Sequence, residues 1–86
     1  MMDIKEVWKR ITSHAGELFY TKKRVPYTYH ISGQYIVLEN TNRNIPCRDI
    51  ERALAIPELN ITKLNQLNVQ GPSYLYGIIT DRRIVG

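Results

Sequence analysis

The sequence is poor in the residues that mark several large classes of protein. Its single cysteine, Cys47, cannot form an internal disulfide or belong to a zinc site built from several thiolates, and a reducing compartment is its simplest setting. No apolar run approaches the roughly 20 residues that cross a bilayer. Asp3 and Glu6 stand where a secretion signal would be basic and then apolar. We therefore expect a soluble, cytoplasmic protein with no membrane partner.

Groupings of residues that carry catalysis or hold a cofactor are also missing. His14, His30 and Cys47 are scattered along the chain, and no spacing among them indicates a nucleophile with its base or a metal site. Gly71-Pro72 lacks the further glycines and the lysine of a phosphate-binding loop. Gly33-Gln-Tyr35 matches only the first half of a GIY-YIG nuclease motif. The chain is therefore predicted not to be an enzyme and to use no cofactor.

What is present is enough for one small domain. The 86 residues include 12 Lys and Arg against 8 Asp and Glu, which gives a formal charge of +4. Two separate hydrophobic cores cannot be built from so short a chain, so residues 1–86 are predicted to form a single domain. The positive charge favours an anionic partner such as DNA, although it is far below the charge density of a histone-like protein.

The N-terminal residues are predicted to form a helix from about Asp3 to His14. Apolar residues recur there at helical spacing, and Asp3 with Glu6 three positions later resembles a capping box. Gly16 offers the left-handed residue that commonly closes a helix. Trp8 is expected at the centre of the contact between this helix and a sheet.

Residues 17–39 follow a period-two pattern that is typical of strands in a half-buried sheet. The pattern predicts three antiparallel strands, near 17–21, 25–32 and 35–39. A two-residue turn on Gly33-Gln34 sets the register of the second and third strands and leaves one apolar face for the helix to cover. The residues paired on that face would be Ile31 with Ile36 and Tyr29 with Leu38.

The C-terminal half is predicted to contain two or three helices. Ile45-Pro46 is expected to lead into a helix from about Arg48 to Ile56, because proline is tolerated in a helix's first turn. A short helix with Ile61, Leu64 and Leu67 on one face would follow, with Asn60 as its N-cap.

Residues 74–79 are compatible with a buried strand or with a helix. Ser73 is a strong N-cap and favours the helix, whereas Gly77 in the middle disfavours it by about 1 kcal/mol relative to alanine. The fold class expected is therefore α+β, with an N-terminal helix, a three-stranded antiparallel sheet and two to three C-terminal helices.

Residues 61–83 carry the most informative pattern. Across the predicted turn the chain reads Leu67-Asn-Val-Gln-Gly-Pro-Ser-Tyr-Leu-Tyr-Gly-Ile78, which resembles the helix-turn-helix of DNA-binding regulators. It has one extra residue in the turn and Asn68 in place of the usual glycine. The resemblance implies non-catalytic DNA binding. The residues implied are Ser73, Tyr74 and Tyr76 at the start of a recognition helix and Lys63, Arg82 and Arg83 at phosphates.

The alternative for this segment is a helical hairpin that packs its apolar residues under the sheet and never contacts DNA. Its inner residues would be Leu64, Leu67, Leu75, Ile78 and Ile79.

A run of three cations is a second candidate contact with nucleic acid. It is expected at the tip of a predicted hairpin, where it either contacts a phosphate backbone, as the wing of a winged helix does, or forms a solvated loop. The three residues are Lys22, Lys23 and Arg24. Of the six tyrosines, Tyr27 and Tyr29 alternate with polar residues as core-facing side chains do. Tyr35 is expected on the exposed face, where a tyrosine can stack on bases.

Several segments are similar to those of a family of short uncharacterised bacterial proteins. They are His14-Ala-Gly-Glu-Leu-Phe-Tyr-Thr21, Tyr27-Thr-Tyr29, Gly71-Pro-Ser-Tyr74 and Asp81-Arg-Arg-Ile84. The resemblance extends over most of the chain and implies a complete single domain, but no activity.

Two functional hypotheses follow from the sequence. One is DNA binding; the other is a protein-interaction module or homodimer whose aromatic surface contacts another chain. Their salt dependence differs, because phosphate contacts release counterions and weaken steeply with salt, whereas an apolar interface hardly responds.

Overall fold

The computed structural model, which describes residues 3–85 apart from 40 and 42, combines helices with two small antiparallel sheets. The elements in chain order are α1 (Ile4–Ser13), β1 (Phe19–Tyr20), β2 (Pro26–Tyr27), β3 (Tyr29–Ser32), β4 (Tyr35–Leu38), β5 (Asn44–Pro46), α2 (Cys47–Leu54), α3 (Ile61–Gln66), α4 (Pro72–Ile79) and α5 (Arg82–Val85). The predicted α+β class with an N-terminal helix is confirmed. The short helix α5 was not anticipated, and it brings the helices after the sheets to four in the described residues.

Helix α1 begins at the predicted cap. The Asp3 carboxylate accepts a hydrogen bond from the Lys5 N–H at 2.7 Å, which satisfies one of the unpaired donors of the first turn. Glu6 pairs with Arg10 at 3.4 Å instead of completing a capping box. Gly16 adopts the expected left-handed backbone with φ of +89°, three residues after the helix ends at Ser13.

The inner face of α1 is centred on Val7 and Ile11, two of the residues at helical spacing, and not on Trp8. Val7 and Ile11 are fully buried, whereas Trp8 is only partly buried, so its predicted central position is wrong. The helix is joined to β3 by Tyr29, whose hydroxyl donates to the Ile11 carbonyl at 2.6 Å. The Gly16 N–H donates to the Tyr29 carbonyl at 2.8 Å. The first of these bonds uses a carbonyl of the last helical turn, which has no partner within the helix.

The β3–β4 hairpin has the predicted register. Ile31 lies opposite Ile36, Tyr29 lies opposite Leu38, and Gly33 takes a positive φ of +60° in the turn. The register follows from the requirement that the apolar residues share the buried face, since a shift by one residue would expose them.

The third strand of that sheet differs from the prediction. It is β5, at residues 44–46, where Ile45 pairs with Ile36 and is fully buried. The segment expected as the first strand instead pairs with β2 in a separate two-stranded sheet, with Phe19 opposite Tyr27. The prediction failed because a three-residue strand is too short to show a period of two, and Pro46 suggested a helix start.

The C-terminal helices pack into the core. Residues 74–79 lie in helix α4, which is preceded by Gly71 with φ of +53° and begins at Pro72, so Ser73 is not its N-cap. Asn60 caps α3 by accepting from the Lys63 N–H at 2.8 Å, as predicted. Asn68 has a left-handed φ of +61° in the turn between the helices, a conformation that asparagine tolerates better than most residues. No helix in the described part of the chain is long and apolar enough to span a bilayer.

Candidate nucleic-acid interface

The β1–β2 hairpin is packed directly on helix α4. A Cβ atom at Gly77 would lie 2.5 Å from the Tyr20 carbonyl oxygen and 2.7 Å from the Tyr27 hydroxyl, so only glycine permits this approach. The Tyr27 hydroxyl donates to the Tyr74 carbonyl at 2.8 Å, and the two rings meet edge to face with centroids 5.0 Å apart. The hairpin is therefore held against the side of α4 that carries Gly77 and the Tyr74 carbonyl.

The loop between β1 and β2 has a defined shape. Thr21 is buried, and its hydroxyl accepts from the Val25 N–H at 3.1 Å while its N–H donates to the Val25 carbonyl at 3.0 Å. The Arg24 N–H donates to the Thr21 carbonyl at 2.9 Å. These bonds close the loop and leave the side chains of Lys22, Lys23 and Arg24 exposed.

Three depressions lie one after another along α4, and we name them together the α4 groove. The middle one has a volume of about 260 Å³ and lies between Lys22, Lys23 and Tyr74. It shares Thr21 and Lys22 with a depression of about 300 Å³ towards the end of α4, and Ser73 and Tyr74 with one of about 370 Å³ at its start. The charged and aromatic residues that line the groove are Tyr20, Lys22, Lys23, Arg24, Arg43, Tyr74, Tyr76 and Asp81.

The α4 groove is electropositive. Within the described residues, Lys22, Lys23, Arg24 and Arg43 line it and take part in no ion pair, and the single acidic residue of its lining is Asp81. That carboxylate is neutralised by Arg83 at 2.9 Å. The hydrogen bond from Arg83 lowers the pKa of Asp81 below its ordinary value of 3.8, so it stays ionised and paired at neutral pH. The Lys22 ammonium lies 5.9 Å from the centre of the Tyr76 ring, within range of a cation–π contact.

Arg83, one of the residues implied by the helix-turn-helix resemblance, is engaged within the fold. Its guanidinium lies 3.7 Å from the centre of the Phe19 ring, and it donates to Asp81 at 2.9 Å, to Glu17 at 3.2 Å and to the Leu18 carbonyl at 2.9 Å. These carboxylates raise the pKa of Arg83 above its ordinary value. The pKa of Glu17 is lowered, chiefly by its hydrogen bond with His14 and further by Arg83. Arg83 therefore joins α5 to the segment before β1.

The other two implied phosphate contacts also lie outside the groove. The Lys63 ammonium donates to the carbonyls of Pro57 at 2.9 Å and Glu58 at 3.1 Å, which holds the loop before α3. Arg82 is exposed on α5 and does not line the groove. The structure therefore brings six of the nine candidate residues together. These six are Lys22, Lys23, Arg24, Ser73, Tyr74 and Tyr76.

The lining includes a tyrosine and a cation that were not anticipated from the sequence. Tyr20 is 47% exposed on β1 and faces the same section of the groove as Tyr76. Its position next to the buried Phe19 in a period-two pattern was the available signal. Arg43 lines the far end with Ser73, through a contact between the segment before β5 and α4 that no local pattern indicates.

Helix α4 itself is largely covered. Leu75 and Ile78 are fully buried, Ile79 nearly so, and Leu64 of α3 is buried with them. This packing has the form of the helical hairpin considered from the sequence. Ser73, Thr80 at the C-cap, and parts of Pro72, Tyr74 and Tyr76 remain accessible along the groove.

The described residues contain no group of three or more side chains suited to hold a metal ion. Cys47 is half-buried at the start of α2, and burial raises the pKa of its thiol, which makes it a weak nucleophile. Tyr35 is 49% exposed on β4, as expected.

No family model, curated protein or solved structure matches this chain.

Proposed function

We propose that this protein binds DNA without catalysing a reaction on it, and that the α4 groove is the contact surface. The observation that carries the proposal is the convergence of the loop cations with Arg43 and with the accessible tyrosines of α4 beside one groove. Cations supply most of the affinity for a phosphate backbone, and tyrosine rings supply contacts to sugars and bases.

The proposed contact differs from that of a standard helix-turn-helix. There, a recognition helix projects into the major groove. Here α4 buries its apolar face, and the β1–β2 hairpin covers one of its sides at Gly77. The DNA would therefore lie along the groove between the hairpin loop and α4. Lys63 and Arg83 are left out of the proposal because their charges serve contacts within the fold.

A charge-reversal experiment tests the proposal. Fluorescence anisotropy of labelled DNA at 50 mM and 200 mM salt would compare the natural chain with a Lys22→Glu, Lys23→Glu variant. We expect salt-sensitive binding that the variant weakens by at least about tenfold, because two phosphate contacts become repulsive.

The matched control is Lys5→Glu, Lys9→Glu, which makes the same change of charge at two exposed positions on α1. It should weaken binding much less than the groove variant. Equal loss in the two variants would show that net charge alone attracts DNA and would contradict the groove. The absence of any binding at 50 mM salt would reject the proposed function.

A protein-interaction module is the second candidate. The observation in its favour is that Leu18, Tyr20 and Val25, all on or beside the β1–β2 hairpin, are each 45–48% exposed. An apolar interface formed there would persist at high salt. Light scattering of the natural chain and of a Leu18→Asp variant, in 50 mM and 500 mM salt, would reveal self-association of that kind.

A further inference from the structure

We infer that the α4 groove takes a single strand of nucleic acid in preference to a duplex, an inference that rests on the proposed function. Accessible bases and a flexible phosphate backbone are the shared chemistry of single-stranded DNA and RNA. Three properties of the groove support this inference: the packing of the β1–β2 hairpin on α4, the dimensions of the groove, and the presence of both cations and aromatic rings in its lining.

The β1–β2 hairpin that packs on α4 prevents this helix from entering the major groove of a duplex. A helix with its side chains is about 10–12 Å across and fills a major groove about 12 Å wide, so a recognition helix needs free sides. The Tyr20 carbonyl oxygen lies only 2.5 Å from the position that a Cβ at Gly77 would take, and Lys22 and Lys23 of the hairpin loop line one depression with Tyr74. A duplex would meet the hairpin loop before its base edges reached α4.

The dimensions of the groove suit a short single strand. The eight residues of α4 span about 12 Å at 1.5 Å per residue. At the stacked spacing of about 3.4 Å per nucleotide, that length accommodates about four nucleotides. The depressions, of about 260 to 370 Å³ each, follow one another along this length and share lining residues.

Cations and aromatic rings line the same sections of the groove. Tyr20 and Tyr76 share one section with Lys22 and Arg24, and Tyr74 shares the next with Lys22 and Lys23. Ring faces are useful to a ligand only where its bases are unpaired and can stack, whereas a duplex offers a phosphate backbone and would use the cations alone. Tyr20 is the most informative of the three tyrosines because its exposed ring is dispensable for the core.

The experiment compares three labelled probes of one 12-nucleotide mixed sequence: single-stranded DNA, single-stranded RNA and blunt duplex DNA. Anisotropy titrations at one salt concentration would use the natural chain, Tyr20→Ala and Tyr35→Ala. Tyr35 is the matched control, because it is the same residue type with nearly the same exposure, 49% against 47%, on the other sheet. Thermal unfolding of each variant confirms that it is folded.

We expect at least one single strand to bind about tenfold more tightly than the duplex, and Tyr20→Ala to lose about tenfold of that affinity while its duplex affinity is unchanged. Tyr35→Ala should bind like the natural chain. Tighter binding to single-stranded DNA than to duplex would support the inference and the proposed function together, whereas binding to the RNA strand alone would support the single-strand preference and reject DNA as the ligand. The inference would be overturned if the duplex bound as tightly as the single strands and if Tyr20→Ala and Tyr35→Ala had the same affinity for them. The proposed function would then still stand. Failure of all three probes to bind would reject both.

Discussion

Gly77 has a structural role that its poor helix propensity conceals. Alanine is about 1 kcal/mol more favourable than glycine in a helix interior. Here, however, the added methyl would overlap the backbone carbonyl of Tyr20 at 2.5 Å and the hydroxyl of Tyr27 at 2.7 Å. We expect Gly77→Ala to destabilise the protein by about 1–3 kcal/mol, because relief requires the hairpin to move.

Urea unfolding followed by circular dichroism would measure that change. Ser73→Ala is the control, because Ser73 is exposed on the same helix and does not serve as its N-cap. A gain in stability for Gly77→Ala would contradict the close packing of β1 on α4.

Arg82 and Arg83 are adjacent and chemically identical, yet their surroundings differ. Arg83 stacks on Phe19 and donates to two carboxylates and a carbonyl, whereas Arg82 is exposed. We expect Arg83→Ala to lower the free energy of unfolding by about 1.5–3 kcal/mol, as the loss of charge-assisted hydrogen bonds does, and Arg82→Ala to change it by less than about 0.5 kcal/mol. Thermal unfolding of the two variants side by side checks this, and equal effects would contradict it.

At the scale of elements, the ion pairs of α5 link it to the segment before β1. The pKa values of Asp81 and Glu17 are lowered below their ordinary 3.8 and 4.5, the former mainly by Arg83 and the latter mainly by His14. A carboxylate with a lowered pKa stabilises the fold above its unfolded pKa, and this stabilisation is lost as pH falls through the folded value. We therefore expect the melting temperature to fall between about pH 5 and pH 3.

Asp81→Asn should reduce the melting temperature at pH 7 and flatten its decline in acid, because asparagine does not titrate. Scanning calorimetry at pH 7, 5, 4 and 3 would show this. Parallel curves for the natural chain and the variant would exclude Asp81 as a source of the acid sensitivity.

Element boundaries show which information is local. The cap at Asp3, the turn at Gly33 and the cap at Asn60 were all predictable, because each depends on residues a few positions apart. Strand β5 was not, since its existence depends on Ile45 completing the face that Ile36 begins. The N-terminus of α4 was also misassigned, because Pro72 at the first helical position competes with Ser73 as a cap.

For the whole molecule, the candidate site was partly visible in the sequence. The cations at the hairpin tip and the tyrosines of α4 were both selected as candidates, but on separate grounds. Their meeting beside one groove depends on Gly77 and on Tyr27 reaching Tyr74, a contact across 47 residues. The bond from Arg83 to Glu17 spans 66 residues, so no local sequence pattern indicates that this arginine makes contacts within the fold.

The charge distribution over the whole surface yields a quantitative prediction. If the four groove cations each neutralise a phosphate, the logarithm of the binding constant should fall with the logarithm of salt concentration with a slope of about −3 to −4. Arg43→Ala should make that slope less steep by about 1 and weaken binding to all sequences alike. Anisotropy at five salt concentrations would measure it. An unchanged slope for Arg43→Ala would remove the far end of the groove from the interface.

The contact between α1 and α5 governs when the fold can close during synthesis. Arg10 donates to the Ile84 carbonyl at 3.2 Å, across 74 residues, and α5 packs on the helix that carries Val7 and Ile11. A ribosome that adds about 5–20 residues per second needs roughly 4–15 seconds to produce that stretch. Throughout this interval α1 lacks the contact with α5, so it cannot complete its native packing until the last helix of the described residues has been made.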